Sequence, residues 1–317
     1  DWFTLFIPIL LAATGIITIY TITFSQYQGT LAINQLVYGI FGLVALLLLM
    51  FSDYRFWGQI SVWLFIVGIL LLIPLLPPLA SKLPFVLKVF GAHRWLDFGL
   101  FQLQPAEIFK LIAAIFGAKY LAGKIGLLGW RQIIFFLTLG TLSFGLVLAQ
   151  PDLGTAAVII IIFLGLLLAA RPSSRAITLM VIAAIIAVPL LWTGLKDYQK
   201  TRIETFLNPS SDPQGQGYNV RQSLIAVGSG GLFGRGFGQG SQTVLNFLPV
   251  PHADFIFAGY AEASGFVGSF IIVCLYMILI QRAILIGRGS QDPFGRLLAI
   301  AIASKFTFQS VVHIGMN

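Results

Sequence analysis

Residues 153–170 read LGTAAVIIIIFLGLLLAA, a run without a single charged side chain. A helix needs about 20 predominantly apolar residues to cross the hydrocarbon core of a bilayer, and similar runs recur along the chain. They cover residues 3–23, 33–51, 57–77, 104–122, 132–149, 153–170, 175–194, 255–281 and 297–317. The pattern predicts an all-α fold, a polytopic helical membrane protein with eight full spans and a ninth that the end of the chain cuts short.

The composition excludes a soluble enzyme. Of the 317 residues, 58% are hydrophobic and 9% are charged, and the mean hydropathy is +0.93. Soluble domains carry roughly a quarter charged residues, so this chain lacks the charge to cover a soluble surface. The single cysteine, Cys274, permits no disulfide within the chain, and the three histidines match no zinc spacing. The net charge of +8 favours contact with membrane lipids over contact with nucleic acid.

The distribution of lysine and arginine predicts the orientation. Four short loops of one parity hold nine cations, whereas the short loops 24–32 and 150–152 of the other parity hold none. The four cationic loops are residues 52–56, 119–131, 171–175 and 282–296. Because cytoplasmic loops are enriched in Lys and Arg, we expect a cytoplasmic N-terminus. Loops 24–32, 78–103, 150–152 and 195–251 then face outward.

The loop at residues 195–251 is unusually long. Loops of this length are normally functional or disordered. It contains seven glycines, which indicate either close backbone approach or flexibility: Gly228, Gly230, Gly231, Gly234, Gly236, Gly238 and Gly240. Loops 78–103 and 195–251 together carry eight cations on the predicted outer side. Those cations favour an anionic ligand there, although contact with lipid headgroups explains the same charge.

Ionisable side chains in or beside membrane spans are expensive and indicate function by default. Glu107 and Lys110 stand three positions apart, on one helix face, where they can form a structural ion pair. Alternatively, they line a polar cavity in which Lys110 meets a phosphate. Asp152 follows Gln150-Pro151 in a tight hairpin, where it either caps the next helix or helps to hold a cation.

Two more carboxylates lie at the start of the eighth run. Asp254 opens it, directly after the cationic glycine-rich loop, and Glu262 follows two helical turns later. Helix capping is one interpretation of Asp254. The other is a general base, because a carboxylate at an apolar interface is expected to have a raised pKa. Glu262 is expected to be either buried and paired, or protonated.

Six motifs, in this order along the chain, resemble those of the SEDS family (shape, elongation, division and sporulation proteins). They are Gly91–Leu96; Gln104–Glu107 with Lys110; Pro151–Thr155; Gly217-Tyr218 with Gln222-Ser223 and Ile225–Gly231; Leu248-Pro249 with His252–Phe257 and Glu262; and Gly315–Asn317. Four positions depart from the family pattern. Val250 replaces a usual Glu, Ala253 a usual Thr, Ala263 the second of two paired Glu residues, and Asn219 a common Gln or His.

The resemblance implies a single domain over residues 1–317, with about ten spans in the family and the C-terminal end missing here. It implies a peptidoglycan glycosyltransferase that polymerises lipid II at the outer face of the bacterial cytoplasmic membrane and releases undecaprenyl pyrophosphate. The expected partner is a class B penicillin-binding protein. Residues 240–243 and 246–249 resemble RodA more than FtsW, which favours a role in rod shape over one in division.

The resemblance and the chemistry together give a set of expected site residues. Asp254 stands at the position of the family's essential aspartate and is the candidate general base. The expected substrate-binding residues are Arg94, Lys110, Arg202, Arg221, Gln222, Ser223 and His252, and the expected supporting residues are Glu107, Asp152 and Glu262. A divalent cation, Mg²⁺ or Mn²⁺, is expected to assist at the pyrophosphate, with ligands that the sequence does not identify. No organic cofactor is expected.

Three other functions fit the same residues. A lipid flippase or transporter would also use intramembrane ionisable groups such as Glu107, Lys110 and Glu262. A membrane scaffold for a cell-wall complex would need the helix faces but not Asp254. Ligases that act on polyprenyl-linked sugars, such as O-antigen ligase, also use an outer loop for catalysis.

Overall fold

The computed structural model describes residues 1–89, 92–99, 101–194, 200–201, 204–205, 208, 215–245, 247–248, 250 and 252–317. Over these residues the chain is mainly helical, and each predicted apolar run contains at least one helix. In chain order, the elements are α1 (Trp2–Tyr27), α2 (Thr30–Phe51), α3 (Tyr54–Gln59), α4 (Ser61–Leu72), α5 (Pro77–Ala80), β1 (Val86–Val89), β2 (Ala92–Asp97), β3 (Gln102–Leu103), α6 (Pro105–Ala122), α7 (Trp130–Leu148), α8 (Leu153–Ala169), α9 (Ser174–Gly194), α10 (Gln216–Ser229), α11 (Ser241–Val244), α12 (Ile256–Gly289) and α13 (Pro293–Gly315).

The helices confirm a multi-pass membrane protein. Among the described residues, six are long and apolar enough to cross a bilayer: α1, α2, α7, α9, α12 and α13. Helices α4 and α8 are apolar but shorter, and α6 carries Glu107, Lys110 and Lys119. Because these three helices fall short in length or carry charge, the predicted number of spans stays a prediction. The predicted orientation does too.

The chain divides into two compact units. The first comprises residues 1–51, 190–282 and 309–317, and the second comprises residues 52–189 and 283–308. The prediction of one domain over residues 1–317 stays a prediction.

The second unit has a core of aromatic rings packed against glycines. Phe136 and Phe163 are fully buried, with ring centroids 4.8 Å apart. A Cβ on Gly140 would lie 2.9 Å from the Phe163 ring, and one on Gly117 would lie 2.6 Å from a Leu166 methyl group. Small residues let helix backbones approach closely in membranes, and these glycines do so where α6, α7 and α8 meet.

A small antiparallel sheet lies in the second unit, within the segment that the sequence analysis treats as loop 78–103. Its strand order is β1-β2-β3, and Val86 pairs with Leu96 while Leu96 pairs with Leu103. Leu75, Ala80, Val86 and Leu96 form a small apolar cluster. The sheet is an addition to the predicted all-α fold. Its strands of two to six residues are too short to show a clear period of two.

In the first unit, α1 and α2 form a helical hairpin through the turn at Gln28-Gly29, and Gly29 adopts a positive φ of 84°. Helix α2 has no buried residue apart from Ala32. Exposed apolar side chains on both helices suit contact with lipid tails, which are as apolar as leucine. The same unit holds α10, α11, the first part of α12 and the end of α13.

Candidate active site

The turn that precedes helix α12 presents the candidate general base. Residues 252–255 form the turn, and α12 begins at Ile256. Asp254 is exposed, and no described residue forms a hydrogen bond or ion pair with its carboxylate. Nothing in the described contacts therefore supports Asp254 as a helix cap. Its carboxylate is available for a bound substrate.

The side chain of Asn317 fixes the backbone of this turn. Its Nδ2 donates hydrogen bonds to the carbonyl oxygens of Asp254, at 3.2 Å, and of His313, at 2.7 Å. Its Oδ1 accepts the N–H of Ala258 at 3.1 Å. The first N–H groups of a helix have no intrahelical partner, so Asn317 caps α12 from outside the helix. The sequence gives no signal for this contact, because 59 positions separate the two residues.

Helix α10 carries three of the predicted substrate-binding residues. Ser223 is buried, and its hydroxyl donates to the backbone carbonyl of Asn317 at 3.3 Å. Since Asn317 also contacts the backbone of Asp254, one residue links Ser223 to the turn of the candidate base. Arg221 is exposed, and Gln222 is half-buried. The exposed guanidinium of Arg221 is thus available to an anion.

Two predicted substrate-binding residues of the first unit, His252 and Arg202, do not lie on α10. His252 is half-buried in the same turn as Asp254. Beneath the turn, Leu248 packs in a small cluster with Ala226 and Ala258. Arg202 lies outside the described residues, so its role at the pyrophosphate stays a prediction.

Glu262 is fully buried and binds backbone N–H groups. Its Oε1 accepts the N–H of Gln242 at 2.8 Å, and its Oε2 accepts the N–H of Thr243 at 3.0 Å. The hydroxyl of Ser229 approaches Oε1 at 3.4 Å. These contacts fasten the short helix α11 to α12. They confirm the prediction that Glu262 is buried and paired, and they give it a structural role.

Helix α12 is interrupted three residues after Glu262. Gly265 has a φ of 69° and a ψ of −165°, outside the helical region. The glycine loop, which we define as residues 228–240, lies against this break. The N–H groups of Arg235 and Gly236 donate to the carbonyls of Glu262 and Ala263, both at 3.0 Å. In return, the N–H groups of residues 266 and 267 donate to the carbonyls of residues 231 and 232, at 2.8 and 3.1 Å.

Glycine is required at this contact. A Cβ on Gly234 would lie 2.1 Å from the carbonyl oxygen of Ala263, and one on Gly230 would lie 2.2 Å from that of Ala261. Of the two interpretations of the glycine-rich sequence, close backbone approach is therefore confirmed. A single glycine within an apolar run does not predict a break, so the interruption at Gly265 is not expected from the sequence.

A second group of predicted residues lies in the second unit. The guanidinium of Arg94 donates to the backbone carbonyls of Gln150, at 3.3 Å, and Pro151. Asp152 accepts the N–H of Thr155 at 3.1 Å, as the predicted cap of α8, and the amide of Gln104 approaches its other oxygen at 3.3 Å. Arg94 and Asp152 thus hold the hairpin between α7 and α8 in place.

Glu107 and Lys110 form the predicted ion pair, with 2.7 Å between Oε1 and Nζ. The side chain of Lys110 is 1% exposed, whereas that of Glu107 is 50% exposed. Lys305 of α13 interacts electrostatically with both partners. The pair supports the structural interpretation, because the Lys110 ammonium already has a carboxylate partner.

The sequence leads us to expect a divalent cation at the site, which would require suitable ligands, chiefly carboxylates, close together. Among the described residues, no group of three or more His, Cys, Asp or Glu side chains is arranged to hold a metal ion. Protein sites for Mg²⁺ use one or two carboxylates together with substrate phosphates. The described residues thus do not form a metal site by themselves.

The predicted site residues therefore form two groups, one in each unit. The first contains Asp254, Ser223, Arg221, Gln222, His252 and Glu262, and the second contains Arg94, Glu107, Lys110 and Asp152. Among the described residues, only the first group combines an exposed cation with a carboxylate that has no described partner. A proton acceptor and a charge for an anionic leaving group are the two parts that glycosyl transfer from a pyrophosphate requires.

Comparison with known proteins identifies the relatives of the chain. A family model described as a cell cycle protein, which covers FtsW, RodA and SpoVE, matches residues 1–317. The peptidoglycan glycosyltransferase MrdB of Escherichia coli K12 is 40% identical over 227 residues, which cover 71% of this chain and 61% of that protein. The probable peptidoglycan glycosyltransferase FtsW of Trichlorobacter lovleyi is 34% identical over 327 aligned positions, covering 100% of this chain and 83% of that protein. The chain thus spans 61% of the length of MrdB.

Solved structures share the fold. A structure described as showing the coordination of polymerization and crosslinking by a peptidoglycan synthase complex has a TM-score of 0.80 and 27% identity, covering 100% of this chain and 86% of that chain. The rod shape determining protein RodA of Thermus thermophilus has a TM-score of 0.71 and 23% identity, covering 99% of this chain and 84% of that chain. At 23% identity, the second likeness concerns the fold alone.

Proposed function

Because the chain belongs to the FtsW/RodA/SpoVE family of cell cycle proteins, we propose that it is a peptidoglycan glycosyltransferase that polymerises lipid II. The observation that carries the proposal is the exposed Asp254 carboxylate, which has no partner among the described residues and whose backbone is fixed by Asn317. The names of the relatives MrdB and FtsW support the same reaction class.

The reaction takes place at the outer face of the bacterial cytoplasmic membrane. The nine cations in loops of one parity support a cytoplasmic N-terminus. Asp254 follows seven predicted crossings and precedes the eighth run. Because seven is an odd number, a cytoplasmic N-terminus puts the turn on the outer side. Lipid-linked sugars presented in that leaflet reach the turn without leaving the membrane.

Asp254 acts as the general base. It accepts the proton of the acceptor sugar hydroxyl while the hydroxyl oxygen forms a bond with the anomeric carbon of the donor. The bond from that carbon to the pyrophosphate oxygen breaks, and undecaprenyl pyrophosphate leaves with the electron pair. A positioned base contributes about 10²- to 10⁴-fold to such a rate.

Cationic side chains stabilise the leaving pyrophosphate. Arg221 is the favoured candidate because its guanidinium is exposed on α10, the helix that contacts Asn317 through Ser223. A guanidinium matches phosphate oxygens with two parallel hydrogen bonds. Arg94 and Lys110 are weaker candidates, since their donors already serve backbone carbonyls and Glu107. Arg202, Gln222, Ser223 and His252 stay in the proposed substrate-binding set.

The biological setting is proposed from the relatives. The fold match to a peptidoglycan synthase complex that couples polymerization and crosslinking supports a class B penicillin-binding protein as the partner. The sequence at residues 240–243 and 246–249 favours a RodA-like role in elongation over an FtsW-like role in division. Rescue of rod shape, but not of division, in cells depleted of each native protein in turn would support that choice.

A lipid flippase or transporter is the second candidate. Transporters commonly bind substrate at interrupted helices, and the break of α12 at Gly265 is such a feature. The two candidates separate in a vesicle assay. A flippase moves the lipid II headgroup across the bilayer without forming polymer, and its transport does not require the Asp254 carboxylate.

The direct test of the proposal is polymerisation by purified protein. The full-length parent of this chain is purified with and without its class B partner and given labelled lipid II with Mg²⁺ or Mn²⁺. Glycan chains are then resolved on a gel. We expect a ladder from the parent and its loss in Asp254→Asn.

The matched control is Asp53→Asn, which changes another exposed aspartate before a helix, in a loop predicted to be cytoplasmic. We expect this variant to form the same ladder as the parent. A ladder of unchanged intensity from folded Asp254→Asn would remove the base assignment. No ladder from the folded parent with its partner would overturn the polymerase and leave the vesicle assay to decide for the flippase.

A further inference from the structure

The glycine loop (residues 228–240) is joined to α12 by backbone hydrogen bonds that suit a membrane interior. The break at Gly265 leaves the carbonyls of Glu262 and Ala263 and the N–H groups of Phe266 and Val267 without their usual helical partners. All four groups pair with the backbone of the glycine loop. Irregular backbone is tolerated at membrane depth only where the protein or a water-filled cavity satisfies its polar groups, and the four groups at the break meet that condition.

The tip of the glycine loop exposes large apolar side chains. We define the apolar tip as Leu232, Phe233 and Phe237, which are 65%, 81% and 46% exposed. Three large apolar side chains exposed side by side are unfavourable in water and are typical of a surface that contacts lipid or another protein.

The backbone contact places Leu232 beside Phe266 and Val267 of α12. Phe266 and its stacking partner Phe270 are also exposed. The ring of Phe237 lies 6.2 Å from that of Tyr260, nearer the start of α12. The apolar surface of the loop therefore continues the lipid-facing surface of a spanning helix.

The position of Phe266 along α12 gives the depth. Arg282 marks the predicted cytoplasmic end of the apolar run 255–281. Phe266 lies 16 residues before it, which is about 24 Å at 1.5 Å per residue. The hydrocarbon core is about 30 Å thick, so Phe266 and the neighbouring Leu232 fall inside the outer edge of the core, with Phe237 at that edge.

The one charged residue of the glycine loop suits the same depth. Arg235 is exposed, and its Nε donates to the carbonyl of Ser229 at 3.0 Å. The side chains of arginine residues near a membrane surface extend along apolar groups and place the guanidinium among the phosphates. Arg235 is then a headgroup contact above the apolar tip, a role that fits an inserted loop.

We propose that the apolar tip inserts into the outer leaflet of the membrane that the chain spans, so that the glycine loop forms a re-entrant segment and not a water-exposed loop. Its occupant is the acyl-chain region of the lipid. The inference rests on the proposed orientation but not on the proposed activity. It gives the Asp254 turn, which follows this segment in the chain, a fixed position at the level of lipid-linked substrates.

The test measures the depth of single labels in proteoliposomes of the full-length parent without its partner. The single cysteine of this chain, Cys274, is replaced by serine, as is any other in the parent, and cysteines are introduced one at a time at Phe233, at Phe266 and at Leu127. Leu127 is 81% exposed in the loop after α6, which is predicted to be in water. Each site receives the same environment-sensitive fluorophore, and quenching is measured with mid-chain nitroxide lipids and with aqueous iodide.

We expect the label at Phe233→Cys to behave like the label at Phe266→Cys. Quenching by the nitroxide lipid should be at least about threefold stronger than at Leu127→Cys, and quenching by iodide correspondingly weaker, because one environment is hydrocarbon and the other is water. A label at Phe233→Cys that follows Leu127→Cys, with weak quenching by the mid-chain nitroxide and strong quenching by iodide, would overturn the insertion.

Two further measurements guard against misfolding and against confusion with the enzymatic proposal. Leu232→Cys, at a second exposed position of the tip, must give the same depth as Phe233→Cys. The depth measurement has no enzymatic readout, so it can succeed or fail independently of polymerase activity. An inactive parent with a buried tip would leave the insertion standing and remove only the proposed function.

Discussion

Two carboxylates eight residues apart, one in the turn before α12 and one within α12, have opposite surroundings. In the turn at residues 252–255, Asp254 is exposed and its carboxylate contacts no described residue. At the break around Gly265, Glu262 is fully buried and accepts the N–H groups of Gln242 and Thr243. The sequence alone presents both as acidic groups at a membrane interface.

The difference shows how burial separates a structural carboxylate from a reactive one. A carboxylate whose oxygens already bind backbone N–H groups has little capacity left to accept a substrate proton. Glu262 therefore stabilises the glycine loop and α11, whereas Asp254 is left for chemistry. Substitutions that sharpen this comparison are expected to change stability in one region and reaction rate in the other.

The largest loss of stability is expected for Glu262→Gln. The substitution removes a charged acceptor and leaves at least one of the N–H groups of Gln242 and Thr243 without a partner, at about 1–3 kcal/mol for each unsatisfied group. The measurement is thermal unfolding in detergent. Asp53→Asn, at an exposed aspartate in the other unit, is the reference. Equal stability of Glu262→Gln and the parent would contradict the anchoring role.

The next effect is expected for Gly234→Ala. The new methyl group would meet the carbonyl oxygen of Ala263 at 2.1 Å, and Gly234 has a φ of 81° that alanine disfavours. We expect a loss of about 1–3 kcal/mol, the usual cost of local backbone strain. Gly228→Ala is the matched control, because a Cβ there meets nothing within 4 Å. If both variants unfold at the same temperature as the parent, the close backbone contact is wrong.

A smaller effect on stability, with a specific effect on rate, is expected for Asn317→Leu. Loss of a helix cap costs about 0.5–2 kcal/mol, and loss of the bond to the Asp254 carbonyl releases the turn. The polymerisation rate should fall more than the affinity for lipid II, because the residue positions the base and does not bind substrate. Asn317→Asp keeps an acceptor for the Ala258 N–H, so it should recover part of the stability. A change in affinity alone would contradict the positioning role.

The smallest effect on stability is expected for Asp292, in the loop between α12 and α13. Burial opposes the shift at Asp292, but N–H bonds from Gly295 and Phe294, the Tyr54 hydroxyl and the charge of Arg55 lower the pKa of its carboxyl below 3.8. A lowered pKa stabilises the folded state above the unfolded value, and this stability is lost as the pH falls through the folded value.

Because Asp292 is largely exposed, the contribution should stay below about 1 kcal/mol. Thermal unfolding of the parent and of Asp292→Asn is therefore compared at about pH 6 and at about pH 3. We expect the parent to be slightly more stable at the higher pH and the difference to shrink at the lower one. A difference that grows on acidification would contradict the sign.

The sequence predicts the helices well because bilayer spans need long apolar runs, and each of the nine runs contains at least one helix among the described residues. Local spacing also predicts the Glu107–Lys110 pair and the Asp152 cap, both confirmed by short contacts. The break at Gly265 and the cap by Asn317 could not be predicted, because each depends on a partner far away in the chain. The short sheet at residues 86–103 could not be predicted either, because its strands are too short to show an alternation of apolar and polar residues.

The measurement that most directly tests the central claim compares three properties of Asp254→Asn in the full-length protein: lipid II binding, thermal unfolding and the single-turnover rate of glycan formation. We predict unchanged binding, unchanged unfolding and a rate lower by about 10²- to 10⁴-fold, because the substitution removes only a proton acceptor. A rate close to that of the parent, with binding and folding intact, would contradict the assignment of Asp254 as the base.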